Sequence, residues 1–316
     1  WGIYAFNFRS ERLSSYSESR IKEIYPWNGN VGIASTAIDL TRDIYLLPES
    51  YLYGIEQLLD RSQTGHSSFL MGDYSTDGWW YYFIVAFLLK TPIPVLFFLL
   101  AASLYFTRIF EKRSVFFVFF LAPIMIFFIM SSSQKVNIGL RHILPVYPFM
   151  FVFISGLTRV HGSNTKVTKM VFSSFLLWYL ISTAAIYPYH IAYFNEFIGG
   201  PENGYKFLVD SNLDWGQDLV GLKEYMDRKG IERINLAYFG MSKPEYYGIS
   251  YEYLPGSVIV DSQEIRSEIE LKGYFAISAT ILQGVYISDK DFYKIFREIK
   301  PIDHIGYSIF IYKLKK

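Results

Sequence analysis

Four apolar runs constrain this chain more than any other feature. Ile93–Phe106, Val115–Met130, Ile143–Leu157 and Met170–Tyr187 contain no charged residue. Each lies near the short end of the roughly 17–25 residues that cross a bilayer as a helix. Pro123, Pro145 and Pro148 fall inside them, which is tolerated where neighbouring helices satisfy the freed backbone groups. The connecting loops assign a direction. Thr107–Ser114 holds Arg108, Lys112 and Arg113, and Thr158–Lys169 holds Arg159, Lys166 and Lys169. Short basic loops stay in the cytoplasm, so Ser131–His142, residues 1–91 and residues 188–316 are expected outside. The expected fold class is an α-helical polytopic membrane bundle of about four spans followed by a small α/β extracytoplasmic domain.

Composition agrees with a bilayer environment. Hydrophobic residues make up 51% and aromatics 19%, with 28 Phe and 27 Tyr, while charged residues reach only 19%, below the roughly 25% of soluble domains. The net charge of +1 supplies no basic field for nucleic acid. The absence of Cys excludes disulfides, thiolate nucleophiles and cysteine zinc sites. The chain opens on Trp1-Gly-Ile-Tyr-Ala-Phe without an initiator Met. An upstream part that starts insertion is therefore expected, with a processed mature chain as the alternative.

Three regions follow: 1–79 as an extracytoplasmic loop region, 80–187 as the transmembrane region and 188–316 as the α/β domain. Within the first, Tyr51–Leu59 reads as an amphipathic helix starting near Pro48. Trp79–Pro94 combines aromatics, a short apolar run, Lys90 and two prolines, the pattern of an interfacial helix turning into a span. In the third region, Gln217–Lys229 reads as a helix stopped by Gly230. Ile234–Phe239, Val258–Val260, Tyr274–Ser278 and Ile305–Tyr312 read as strands, with helices at Ser262–Leu271 and Asp289–Ile299.

The residues most able to carry chemistry lie in Asp210-Ser-Asn-Leu-Asp-Trp-Gly-Gln-Asp218. Asp210, Asp214 and Asp218 would share a face on a continuous helix. Asn212 and Trp215 add an amide and an aromatic face, a set suited to sugar hydroxyls. Helix capping by Asp214, with Trp215 at the headgroups, is the structural alternative, and metal binding is a third. The spacing does not match an EF-hand loop, and a divalent cation is the one cofactor left open. Lys90, inside an apolar stretch, either snorkels or contacts a carrier phosphate. Arg141 and His142 open a run into a span; Arg suits bidentate phosphate contact, and anchoring of the helix end is the alternative. His66, in Gln63-Thr-Gly-His66-Ser-Ser, is either part of an active-site lid or a satisfied loop histidine. No P-loop, nucleophile elbow or His-Glu-x-x-His helix is present.

Several separate motifs carry a resemblance. Gly65-His66, Gly78-Trp79-Trp80-Tyr81-Tyr82, Lys90-Thr91-Pro92, Arg141-His142-x-Leu144-Pro145, the Asn195–Gly204 turn, Asp210–Asp218 and Ile305-Gly306-Tyr307-Ser308-Ile309 are similar in order and spacing to the C-terminal half of bacterial family 39-type glycosyltransferases. These belong to the GT-C superfamily and are related to protein O-mannosyltransferases. The resemblance implies an inner-membrane enzyme that moves a sugar from a polyprenyl-phosphate carrier to a protein, lipid or glycan acceptor at the extracytoplasmic face. It places the catalytic acidic residue in a first outer loop, expected upstream of residue 1. On this reading Lys90, Arg141 and His142 serve the carrier phosphate, while Asp210, Asn212, Asp214, Trp215, Asp218 and His66 serve the sugar or acceptor. Two competitors stand beside it. One is a non-catalytic, membrane-anchored carbohydrate-binding module. The other is a transporter, which would require polar residues in mid-span.

Overall fold

The computed structural model describes residues 49–106, 117–159, 165–256 and 272–314, with Thr36, Ile38, Leu40, Thr41 and Leu47 described singly. Four sequence expectations fall outside these residues: the basic Arg108–Arg113 loop, the helix start at Pro48, the Val258–Val260 strand and the Ser262–Leu271 helix.

Helix α1 spans Glu49–Thr64 and leads into a hairpin of β1 (Ser68–Leu70) and β2 (Asp73–Ser75). Met71 and Gly72 both take positive φ, 54° and 100°, the geometry that suits a two-residue hairpin to strand twist. Helix α2 (Tyr82–Lys90) is followed by α3 (Ile93–Leu104), the two bent by 113°. The bend has a covalent cause. Pro92 has no N–H to give to Leu88 O, and that carbonyl instead accepts from Asn195 Nδ2 at 2.6 Å; the same amide donates to Thr91 O at 2.9 Å.

The remaining apolar runs form α4 (Ala122–Ser132), α5 (Val146–Ser155) and α6 (Lys166–Ala185). Here the expected four-span bundle is overturned. Among the described residues only α6, with 20 residues, is long and apolar enough to cross a membrane, and the bent α2–α3 pair passes that test only if counted as one span. Helix α3 has 12 residues, about 18 Å against the roughly 30 Å of a bilayer core. Including the adjoining π-helical and 3-10 turns, the other two reach only Val118–Ser132 and Val146–Thr158. The apolar runs do become helices, but shorter ones than the runs; α5, for example, is bounded by Pro145 and Gly156. The architecture is an α/β fold with apolar helices packed on it.

Helix α7 (Leu219–Lys229) ends at Gly230, whose φ of 65° gives the left-handed cap. Strands β3 (Ile234–Ala237), β4 (Tyr251–Tyr253), β5 (Gly273–Ser278), β6 (Asp303–Ile305) and β7 (Ile309–Leu314) follow. They form one sheet in the order β4-β3-β5-β7-β6, with β3 parallel to β4 and β5 and the β7 pairings antiparallel. The single strand expected over Ile305–Tyr312 is a hairpin instead. Gly306 and Tyr307 turn it with φ of 58° and 64°, a turn that the alternating side chains on either side conceal. The helix expected over Asp289–Ile299 is shorter, Lys294–Glu298.

The sheet is buried on both faces. Ile234, Leu236, Ala276, Ile309 and Ile311 pack under Leu219, Leu222, Tyr225 and Met226 of α7. On the other face Phe275, Ile277, Phe310 and Tyr312 belong to one continuous cluster that also holds Tyr82, Phe83 and Phe87 of α2 and Val146 and Met150 of α5. In contrast, no residue of α6 is buried. It lies along α3 through Phe97–Phe175 stacking at 4.1 Å and Phe98–Phe172 contact at 5.0 Å. Its far end is held by Glu196, whose Oε1 accepts from Trp178 Nε1 and Ser182 Oγ at 2.9 and 3.0 Å.

Candidate functional site

The carboxyl ends of the three parallel strands converge. Chain leaving β3 brings Phe239, chain leaving β4 brings Pro255 and Gly256, and the segment beyond β5 brings Tyr286. Outside such strand ends an α/β sheet leaves its ligand crevice. Here that crevice is a cleft of about 680 Å³, completed by His66, Arg141, Asp210, Ser211, Asp214 and Trp215. Five residues singled out in the sequence, separated by up to 149 positions, therefore meet on one surface.

Asp210 is held in an unusual backbone state. Its φ is 57°, which costs a non-glycine residue about 1–2 kcal/mol. The conformation is fixed by its N–H donating to Thr280 Oγ1 at 3.0 Å, while its carbonyl accepts from Leu213 N and Asp214 N at 2.9 and 2.8 Å. The carboxylate accepts from the Ser211 amide, from Ser211 Oγ at 2.7 Å and from Tyr286 OH. Burial, then the Asp210 charge, raises the Tyr286 phenol above its ordinary range, so that it stays a donor. The Tyr286 ring stacks on Phe239 at 5.7 Å and takes the edge of His66 at 5.4 Å. His66 Nδ1 lies 3.0 Å from Ser67 O.

No continuous helix carries the three aspartates. A 3-10 turn at Asp210–Asn212 gives way to an irregular turn, and α7 begins only after Asp218. Asp214 is 1% exposed; its Oδ1 accepts from Gly216 N at 3.1 Å and its Oδ2 has no partner. Capping of α7 by Asp214 is thus replaced by a local side-chain turn. Burial, with Asp218 and Asp210 nearby, holds this carboxyl well above the usual carboxylate range. Trp215 stays half-exposed beside the cleft, and the Arg141 guanidinium lies 4.6 Å above its ring.

The other four residues singled out lie off the cleft lining. Lys90 donates to Ile191 O at 2.8 Å and to Asn212 O, with its ammonium over the Phe194 ring at 4.3 Å. It ties two backbone segments together. His142 turns inward to Phe83. Asn212 is buried and bonds to Leu140 N, Tyr82 OH and Val209 O. Asp218 Oδ2 accepts from Ser308 Oγ at 2.6 Å and from Gln217 Nε2 at 3.2 Å. Among the described residues no group of three or more His, Asp or Glu is placed to hold a metal ion. Sequence reading missed Tyr286, Phe239 and Gly256. The available signal was the strand pattern ending at Phe239, once β3 and β5 are taken as parallel.

Burial raises Asp218 as well, opposed by its bonds to Ser308 and Gln217. A carboxyl raised on folding holds its proton where the unfolded chain has released it. Its stabilising contribution is therefore present at low pH and is lost as pH rises above the ordinary Asp range of about 3.9. Relative to Asp218→Asn, the wild-type chain should lose stability as pH rises above about 4. Parallel denaturation midpoints across that range would refute this.

Matches to family models, to curated proteins and to solved structures are all lacking. The resemblance to family 39-type enzymes therefore rests on its motifs alone.

Proposed function

We propose that the cleft holds the sugar of a polyprenyl-phosphate-linked donor and that the chain is part of a glycosyltransferase working at a membrane surface. The observation that carries this reading is the convergence of Asp210, Asp214, Trp215, Tyr286 and Arg141 on one cleft. Carboxyls and aromatic faces match sugar hydroxyls and ring C–H surfaces. Arg141 adds a cation that meets only an aromatic face in the bonds described, leaving its N–H groups for a phosphate. Glycosyl transfer from a phosphate needs such a cation to stabilise the leaving group. The large apolar side chains exposed on α3–α6, Leu100, Ile126, Ile129, Phe151, Leu177 and Ile181 among them, support a lipid-facing position for this side of the molecule.

A binding module without catalysis is the second reading. It draws on Asp210, whose two oxygens already accept from Ser211 and Tyr286, the arrangement of a held binding group in which one lone pair of Oδ2 is left for a ligand.

Binding of a farnesyl-phosphate hexose, followed by Trp fluorescence in detergent micelles, tests the site. Arg141→Ala should weaken the phosphate-bearing probe by about tenfold to hundredfold, the loss of one or two charged hydrogen bonds. Affinity for the free hexose should hardly change. Equal affinity of both chains for the phosphate-bearing probe would remove the proposed role. Release of labelled hexose onto an acceptor then separates an enzyme from a binding module.

A further inference from the structure

We propose that Asp214 works as a neutral acid whose Oδ2 hydrogen is given to an oxygen of the bound sugar, so that ligand affinity falls as pH rises. This rests on the reading that the cleft holds a sugar.

The argument is geometric. Asp214 lines the cleft and is almost wholly buried. One oxygen is satisfied by Gly216 N, and the other is buried without a partner. An ionised oxygen in that position would be a desolvated charge with no donor, among the costliest arrangements in a protein. The protonated form is cheaper, but its hydrogen then needs an acceptor, and among the described residues none takes it.

Burial is the largest influence on Asp214, and Asp210 and Asp218 add to it by opposing a negative charge; the Gly216 and Thr280 amides favour the charge but are outweighed. From the β3 side the Tyr238 phenol donates to Gly216 O at 2.6 Å and is already committed. Across the cleft the Arg141 guanidinium lies on Trp215 and His66 on Ser67 O. Burial pushing the Asp214 carboxyl upward is consistent with this arrangement. A sugar supplies the missing partner, since each hydroxyl or ring oxygen accepts a hydrogen bond. Asp210 and Asp214 thus divide the work: Asp210 is an acceptor with its donors in place, and Asp214 is a donor awaiting its acceptor.

The test combines infrared spectra of chain labelled with ¹³C-aspartate and titrations with farnesyl-phosphate mannose, glucose and galactose. At about pH 6 wild type should show a protonated-carboxyl component that Asp214→Asn lacks and that the bound ligand shifts. Asp214→Ala should bind about tenfold more weakly than wild type at that pH, the worth of one neutral hydrogen bond. Asp214→Asn, which keeps an N–H donor at that atom, should restore binding and abolish its decline as pH rises. A missing band, or a band that does not move on binding, overturns the role of Asp214 while leaving the sugar site intact. Equal pH dependence in wild type and Asp214→Asn does the same. Failure of all three hexoses to bind, with the band present, overturns the sugar site and this inference with it. Thermal melts of each variant, taken without ligand, separate misfolding from lost contact.

Discussion

Asn212→Ala is expected to lower the unfolding free energy by about 3–4 kcal/mol, because one buried amide bonds groups from three separate segments. Its Oδ1 accepts from Leu140 N at 3.0 Å, and its Nδ2 donates to Tyr82 OH at 2.8 Å and to Val209 O at 3.2 Å. Leu140 opens the turn bearing Arg141, Tyr82 opens α2, and Val209 precedes the strained Asp210. Removing the amide therefore breaks the link between the apolar helices and the aspartate loop, besides leaving a cavity. Urea unfolding followed by circular dichroism measures the loss. A change below about 1 kcal/mol would show that the three groups find other partners.

Gly306→Ala carries the second large effect, about 3 kcal/mol or more, with two causes acting together. The residue sits at a φ of 58° between β6 and β7, where an L side chain costs about 1–2 kcal/mol. A Cβ there would also run into both oxygens of the Asp218 carboxylate, which is already bound to Ser308. Gly230→Ala is the control. Its φ is 65°, but a Cβ there meets nothing within 4 Å, so only the backbone cost of about 1–2 kcal/mol applies. The two variants should thus differ by about 1–3 kcal/mol, the usual range for overpacking. Equal losses would show that the Asp218 carboxylate moves aside freely.

The local signals in the sequence were good and the lengths were misleading. The Gln217–Lys229 helix with its Gly230 stop, the strands near Ile234 and Tyr274, and the bend at Pro92 follow from periodicity and from the chemistry of Gly and Pro, and each has its counterpart in α7, β3, β5 and the α2–α3 junction. The four spans do not. An apolar run states that its side chains avoid water, not how many residues keep helical hydrogen bonds. Val146–Ser155 is apolar enough, but at 10 residues it is too short. Hairpins at Met71-Gly72 and Gly306-Tyr307 were hidden because each flanking strand is too brief, or too regular, to mark the turn.

The site was legible in part for a similar reason. Asp210, Asp214 and Trp215 declare themselves by their density along the chain, and Arg141 and His66 by their place in loops. Tyr286 and Phe239 look like ordinary aromatics in a chain with 28 Phe and 27 Tyr. Only strand order brings them to the crevice. Lys90 and Asn212 are polar residues that the sequence cannot distinguish from ligand contacts. Their bonds run to backbone carbonyls, a backbone amide and a tyrosine of the core.

The cleft is a joint as well as a pocket. Its aromatic and acidic side is carried by the sheet and the Asp210 loop, and its cationic side by the turn at Leu140–Ile143 just before α5. Those two sides meet through a core shared with α2 and α5, through the bond from Leu140 to Asn212 and through Arg141 on Trp215. The reach from Arg141 to Asp210 is therefore set by how those helices seat, and the medium around the apolar helices becomes a hidden variable of ligand affinity. Detergent chain length, changed with nothing altered in the cleft itself, should move the binding constant.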